Sequence, residues 1–288
     1  MKMNRVEFLN AIQETAAVTG FSPALIEKDY HCSIILKKIY DHEFLKEHLI
    51  FKGGTLLAKC YLPFFRMSED LDFSVKNELC AERKDRRKLA DAIRSVIPAI
   101  LADSGFREIS PFRGFNESKQ YNAIFGYNSL FLPEDSIKFE VGFRGDLVLS
   151  PLRQPLKTLL LDSYNLKKPA FPAFEALVLS DKEAYAEKVR AALTRQTPAI
   201  RDFYDITAIA GSGFDLIAPE FIMLVARKLT VDNDAQINLS NSKKNALQEK
   251  IQSELHGVLK NGVFFDIEGS WKILEVVAKN IEQYSHPS

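Results

Sequence analysis

Apolar residues recur at helical spacing through Val6, Leu9, Ile12 and Ala16, which predicts an opening helix. Ser22-Pro23 then reads as an N-cap followed by proline in the first turn. Leu25, Ile26, Asp29, Tyr30, Ser33, Ile34 and Leu36 carry a second helix. Leu49-Ile50-Phe51-Lys52 is a short strand that runs into Gly53-Gly54, and Thr55 can cap a short helix through Tyr61. Leu71 to Val75 alternates strictly and predicts a strand. A long amphipathic helix follows over Arg83–Ser104, with Leu89, Ile93, Ile97 and either Ile100 or Leu101 on its apolar face. Three strand-like segments come next, Phe106–Phe115, Gln120–Tyr127 and Ile137–Phe143, separated by Asn116, Asn128, Pro133 and Asp135.

After Pro151 the pattern predicts helices. Ser180-Asp181-Lys182-Glu183 is a capping-box pattern ahead of a helix over Ala184–Thr194. Further helices are expected at Arg201–Gly211, Pro219–Leu229, Ser242–Leu259 and Ser270–Tyr284. The fold class expected is therefore α+β. Residues 1–165 would form an α/β core with N-terminal helices, and residues 166–288 a helical C-terminal domain.

Composition narrows the function. The chain is 46% apolar and 26% charged, ordinary globular values. Lys and Arg number 38, as do Asp and Glu, so bulk charge excludes a protein that coats nucleic acid, though not a local basic groove. No run of ~18 apolar residues suggests a membrane span. Met1 to Glu7 lacks an apolar leader segment, and Cys32, Cys60 and Cys80 form no CxxC pair. The expectation is a cytoplasmic protein with reduced thiols and no zinc site. His31, His42, His48, His256 and His286 show no metal-ligand spacing, and no Gly-x-Ser-x-Gly elbow is present. Trp271 reads as a packing residue.

The informative segment is Phe51 to Val75. On a strand, Asp70, Asp72 and Ser74 share one face and Leu71, Phe73 and Val75 the other. Two carboxylates side by side repel, and a hard divalent cation between them removes that cost. An acidic pair on a solvated strand face is the plainer alternative. Glu140, however, alternates with Ile137, Phe139 and Val141 on a later strand and offers a third carboxylate. Three such groups suit a two-cation site for in-line attack at a nucleotide's α-phosphate. Gly53-Gly54 ends a strand and opens a helix, where backbone N–H groups can approach an anion.

The order strand, Gly-Gly-Thr, helix, Asp-x-Asp, and a later strand carboxylate resembles the DNA polymerase β-type nucleotidyltransferase superfamily. Within it, Lys52-Gly-Gly-Thr-Leu with Arg66-Met-Ser-Glu-Asp-Leu-Asp-Phe73 is similar to the AbiEii/AbiGii toxin family. Glu27-Lys-Asp-Tyr30 upstream matches as well. So do Ala186-Glu-Lys-Val-Arg-Ala191, Arg195 and Arg201-Asp-Phe-Tyr-Asp-Ile206 downstream. Fifteen residues lie between Gly54 and Asp70, slightly more than the wider superfamily usually has, and Pro63-Phe-Phe-Arg66 fills the extra length.

The resemblance implies a nucleotidyltransferase-fold mixed sheet and transfer of NMP from an NTP. Asp70 and Asp72 would bind Mg²⁺, two ions in all, with Glu140 as third ligand. Lys52, Gly53, Gly54 and Thr55 would contact the triphosphate. Arg66 and Ser68 would hold phosphate or position the metal loop. Lys188 would neutralise the leaving pyrophosphate, and Asp205 would orient Lys188 or the nucleotide. Arg195 and Arg201 remain open between function and a solvated stripe, and Arg201-Asp202 can be a structural ion pair.

The same resemblance implies the toxin of a bacterial toxin–antitoxin or phage-defence pair. Its antitoxin would be a separate protein, and its acceptor the tRNA 3′ end or another RNA. Arg83–Lys88 is either a solvated helix face or a phosphate contact. The alternatives are transfer to a protein or small molecule, and a nucleotide-binding module without catalysis.

Overall fold

The computed structural model describes residues 3–79, 81–162, 165–230 and 236–285. Cys80 and His286 lie outside them. The described residues divide into two compact units. One comprises the chain up to Leu147 with Pro151–Leu179, and the other Val148–Ser150 with the chain from Ser180 onward.

The first unit opens with α1 (Arg5–Thr19), α2 (Pro23–Asp41) and a single turn, α3 (Leu45–His48). Asn4 and Glu7 make a reciprocal capping box on α1, and Ser22 caps α2 ahead of Pro23. Then come β1 (Ile50–Lys52), α4 (Gly53–Leu56) continuing as a wider π-type turn to Tyr61, β2 (Asp70–Ser74) and α5 (Arg83–Ala102). The strands β3 (Arg107–Phe115), β4 (Gln120–Tyr127) and β5 (Asp135–Gly142) follow. The unit ends with β6 (Leu152–Leu156), β7 (Leu161–Asp162), β8 (Asn165–Pro169) and β9 (Phe174–Val178).

Seven of these strands form one mixed sheet in the order β3-β4-β5-β2-β1-β9-β6, which puts β2 at its centre. β2 is parallel to β5 and antiparallel to β1, and β1 is parallel to β9. The pleat sends Phe51, Leu71, Phe73, Phe125, Phe139 and Val141 to one face, and all are buried. Phe51 packs 5.4 Å from Phe73, and Phe73 stacks 4.8 Å from Phe139, so an aromatic ladder crosses three strands. On the same side α2 brings His31 into a 4.0 Å stack on Tyr127, and α5 packs against β3 and α2. A slip of one residue in β2 would swap this apolar row for its aspartates, so burial fixes the register.

The sequence pattern predicts helices after Pro151, and the structure has strands there until Val178. Pro155 sits within β6, and Lys167-Lys168-Pro169 closes β8, a composition that masks strand character. Because β9 joins β1 through Phe51 and Val178, the compact division falls between Leu179 and Ser180 rather than at 165. Thr55 does not cap the helix after β1. Lys52 occupies that position without a side-chain cap bond, and Gly53, with φ of +80°, makes the turn by itself.

The second unit is helical: α6 (Asp181–Thr194), α7 (Ile200–Gly211), α8 (Pro219–Thr230), α9 (Asn241–Lys250) and α10 (Ile267–Ser285). Trp271 is buried and stacks 5.7 Å from Phe203. The predicted helix over 242–259 is α9 followed by π-type and 3₁₀ turns to Val258. Ser180 caps α6 by accepting from the Glu183 N–H, but the capping box is only half made. The Glu183 carboxylate instead accepts from the Val148 and Leu149 N–H groups at 2.8 and 2.6 Å and pairs with buried Lys228.

Candidate active site

A polar row crosses the other face of the sheet. Lys52 of β1 stands opposite Asp72 of β2, Asp72 opposite Glu140 of β5, and Glu140 opposite Asn122 of β4. Asp70 is registered with Lys138 one step along. Neighbouring strands lie about 4.8 Å apart, so Asp72 and Glu140 are adjacent like charges. The hydrophobic ladder on the reverse face holds them there.

The glycines complete this patch. A Cβ on Gly53 would lie 2.3 Å from the Asp72 Oδ2, closer than any real contact. A Cβ on Gly54 would lie 2.7 Å from Arg66 Nη2 and 3.0 Å from Ser68 Oγ. The Gly-Gly backbone therefore passes between a carboxylate and a guanidinium, and side chains at either position would part them. Arg66 is 2% exposed, donates to the Met67 carbonyl at 2.9 Å and lies over the Phe65 ring. Thr55 is buried, and its hydroxyl donates to the Asp70 carbonyl at 2.6 Å, tying α4 to β2.

The structure thus brings Lys52, Gly53, Gly54, Thr55, Arg66, Ser68, Asp70 and Asp72 to one patch of the first unit, with Glu140 beside it. The donor set is all oxygen, which fits a hard divalent cation such as Mg²⁺. Among the described residues, no three Asp, Glu, His or Cys side chains converge as a closed metal cage. Glu140 is instead held by the Lys138 ammonium at 3.3 Å. Burial opposes that ammonium, but Glu140, then Asp70 and Asp72, outweigh it and raise the Lys138 pKa above its ordinary value. Sequence reasoning missed Lys138 and Asn122. Alternation puts Lys138 on the face of Glu140, but only the β2–β5 register sets it against Asp70, and nothing local marks Asn122.

The Glu27-Lys28-Asp29-Tyr30 segment lies inside α2 and works as scaffold. Glu27, fully buried, accepts from Ser129 Oγ and the Leu130 N–H at 2.5 and 2.8 Å. Lys28 bridges Glu69, next to Asp70, and Asp135 at the start of β5, each at 3.0 Å. Asp29 accepts from Lys59 Nζ at 2.5 Å and from the Leu159 N–H at 3.0 Å, with both charged groups buried. Successive helical positions thus reach four different segments of the unit, at Lys59, Glu69, residues 129–135 and Leu159.

In the second unit Lys188 pairs with Asp202 at 3.1 Å and with fully buried Asp205 at 2.8 Å. Arg195 approaches the other Asp202 oxygen at 3.1 Å. Asp202 and Asp205 thus flank the Lys188 ammonium. Arg201 does not form the pair with Asp202 that their adjacency suggests; its Nε donates to the Glu254 carbonyl. Lys243 caps the end of α6 on the Ala192 and Leu193 carbonyls, and burial pushes its pKa down to about 8 against the pull of Asp202.

The sequence profile of the nucleotidyl transferase AbiEii toxin family, of type IV toxin–antitoxin systems, matches residues 34–278. No curated protein matches the chain in sequence. Among solved structures the chain is similar to MenT4, a nucleotidyltransferase toxin from Mycobacterium tuberculosis H37Rv. The identity is 17% and the TM-score 0.56, with 97% of this chain and 99% of that one covered. At that identity the likeness concerns the fold, whereas the profile match spans most of the chain. The chain belongs to the AbiEii nucleotidyl transferase toxin family.

Proposed function

We propose that this AbiEii family member transfers NMP from an NTP to the 3′ hydroxyl of an RNA acceptor, tRNA in the first instance, in a Mg²⁺-dependent reaction that forms a phosphodiester, breaks the α–β phosphoanhydride bond and releases pyrophosphate. The observation that carries the reading is the passage of Gly53-Gly54 between the Asp72 carboxylate and the Arg66 guanidinium. It sets a cation-binding group and an anion-binding group on either side of a backbone that only glycine permits.

Asp70 and Asp72 would hold the divalent ion, and Glu140 would join them once released from Lys138. Bound there, the ion would polarise the α-phosphate and neutralise charge as it develops. The chain's own residues do the rest. Gly53 and Gly54 let the triphosphate approach the backbone without a side chain in its path. The planar Arg66 fork offers charge-assisted hydrogen bonds to phosphate oxygens. Lys52, beside Asp72, supplies a second cation to the same anion. Thr55 holds α4 against β2, so phosphate contacts and carboxylates keep their spacing. A role in phage defence, with an antitoxin encoded as a separate protein, belongs to the same reading.

The test uses NTPs labelled at the α- or the γ-phosphate, offered with total tRNA. Label from the α-position alone should enter RNA, and Asp70→Asn and Asp72→Asn should each abolish it. Entry of γ-label would overturn the reading in favour of a kinase, and undiminished transfer in both variants would remove the aspartates from the chemistry.

A further inference from the structure

The first two turns of α5 carry Arg83, Lys84, Arg86, Arg87 and Lys88, with Asp85 as the acid of the first turn. Such a run opposes the helix dipole, whose positive end lies there and favours acids. Glu82, at the cap position, makes no side-chain cap bond to offset it. Helix stability therefore gives no reason for this arrangement, and such local conflict points to use by a ligand.

The five cations are not equivalent. Arg86 turns inward and is buried, donating to the Ala81 and Glu117 carbonyls and so anchoring α5 to the β3–β4 turn. Arg83, Lys84, Arg87 and Lys88 are exposed, and none has an ion-pair partner among the described residues. They form two i,i+4 rows, with rungs about 6 Å apart along the axis. Together with Asp91 they line an open stretch of the α5 surface. Asp91 is itself held by Arg94 at 2.8 Å, which blunts its repulsion of an anion. In a chain with no net charge, four unpaired cations on one anchored face are a local exception.

We infer that this α5 face is a docking surface for the phosphodiester backbone of the RNA acceptor. The inference rests on the proposed transfer to RNA and adds the place where the acceptor is held. Repeated, solvated phosphates match two rows of exposed cations, including two guanidinium forks. Contacts of this kind position a polynucleotide without reading its sequence.

The experiment measures binding of a fluorescein-labelled RNA hairpin with a single-stranded 3′ tail to the full chain, by anisotropy, over a salt series. Wild type is compared with Arg87→Gln/Lys88→Gln and with a control, Lys272→Gln/Lys279→Gln, that removes equal exposed charge from α10. The α5 variant should bind about tenfold more weakly, and its log–log salt slope should fall by about 2, as for two lost phosphate contacts. The control should follow wild type. The α5 variant should melt no lower than wild type, since it removes charge that opposes the dipole.

Equal effects of the two variants, or an unchanged slope, would overturn the inference. RNA binding left intact while affinity for poly-glutamate is lost would overturn it in favour of an acidic protein partner. If RNA binding depends on α5 but no RNA is ever labelled, the surface stands and the transfer reading falls. If label transfer to RNA keeps its kcat/KM in the α5 variant, the transfer reading stands and the surface falls.

Discussion

Asp72 and Glu140 face each other in register across the parallel strands β2 and β5, and Lys52 flanks Asp72 from the other side. The sequence pattern groups them as candidate ligands, and the β2–β5 register sets one opposite the other. What enforces it is the reverse face, where Phe73 stacks on Phe139 at 4.8 Å. Hydrophobic burial thus holds two carboxylates in a position that their charges oppose.

Lys138 offsets that opposition by pairing with Glu140 at 3.3 Å. Replacing it by methionine leaves the carboxylates without their nearby ammonium. The Lys138→Met variant should melt below wild type without Mg²⁺ and gain more from Mg²⁺ than wild type does, since a ligand stabilises the state that binds it. Thermal unfolding with and without the ion checks both. Equal Mg²⁺ gains would separate Lys138 from the cation site.

Gly53 is expected to accept no side chain. Gly53→Ala meets the left-handed backbone penalty of about 1–2 kcal/mol and a Cβ placed 2.3 Å from Asp72 Oδ2. Gly105 also has a positive φ, but nothing crowds its Cβ. Gly105→Ala should therefore lose stability comparably through the backbone term and keep transfer activity, whereas Gly53→Ala should lose both. Paired melting curves and transfer assays distinguish them.

The buried Lys59–Asp29 pair offers a test of the scaffold. Lys59→Met leaves the Asp29 carboxylate buried with the Leu159 N–H as partner and should cost about 3–5 kcal/mol by urea unfolding. Adding Asp29→Leu should recover only part of it, because the Leu159 N–H then loses its acceptor.

His31 sets a pH response. Burial among Phe8, Tyr30, Phe106 and Tyr127 pushes its pKa down to about 4, with Asp135 pulling weakly the other way. The unfolded chain, with the ordinary value of about 6.5, binds more protons over this interval. The contribution of neutral His31 is therefore fully present above pH 6.5 and is lost as pH falls toward 4, by at most about 1.4 kcal/mol per pH unit. His31→Phe should flatten the stability profile over that window, as unfolding at a series of pH values would show.

Much of this was legible in the sequence because it is local. Alternation over Leu71–Val75 places Asp70 and Asp72 on one face, and Gly53-Gly54 after a strand marks a close approach. What stayed hidden depends on distant partners. Lys138 is an ordinary polar position until β5 aligns with β2. Glu183 looks like half of a capping box until Lys228 and the Val148 and Leu149 amides claim its carboxylate. Glu27, Lys28 and Asp29 match the family's pattern yet serve as scaffold, which a motif does not distinguish from chemistry. The strands β6 and β8 were obscured by Pro155, Lys168 and Pro169, which weaken the period-two signal.

On the proposed function, Asp72 and its neighbours promote attack of an RNA 3′ hydroxyl on the α-phosphate of an NTP, with pyrophosphate leaving. The most direct measurement offers an α-labelled NTP with Mg²⁺ to tRNA whose 3′ end is either intact or oxidised by periodate, using wild type and Asp72→Asn. Label is expected on intact tRNA with wild type alone. Label on the oxidised tRNA, or equal labelling by Asp72→Asn, would contradict the proposed function.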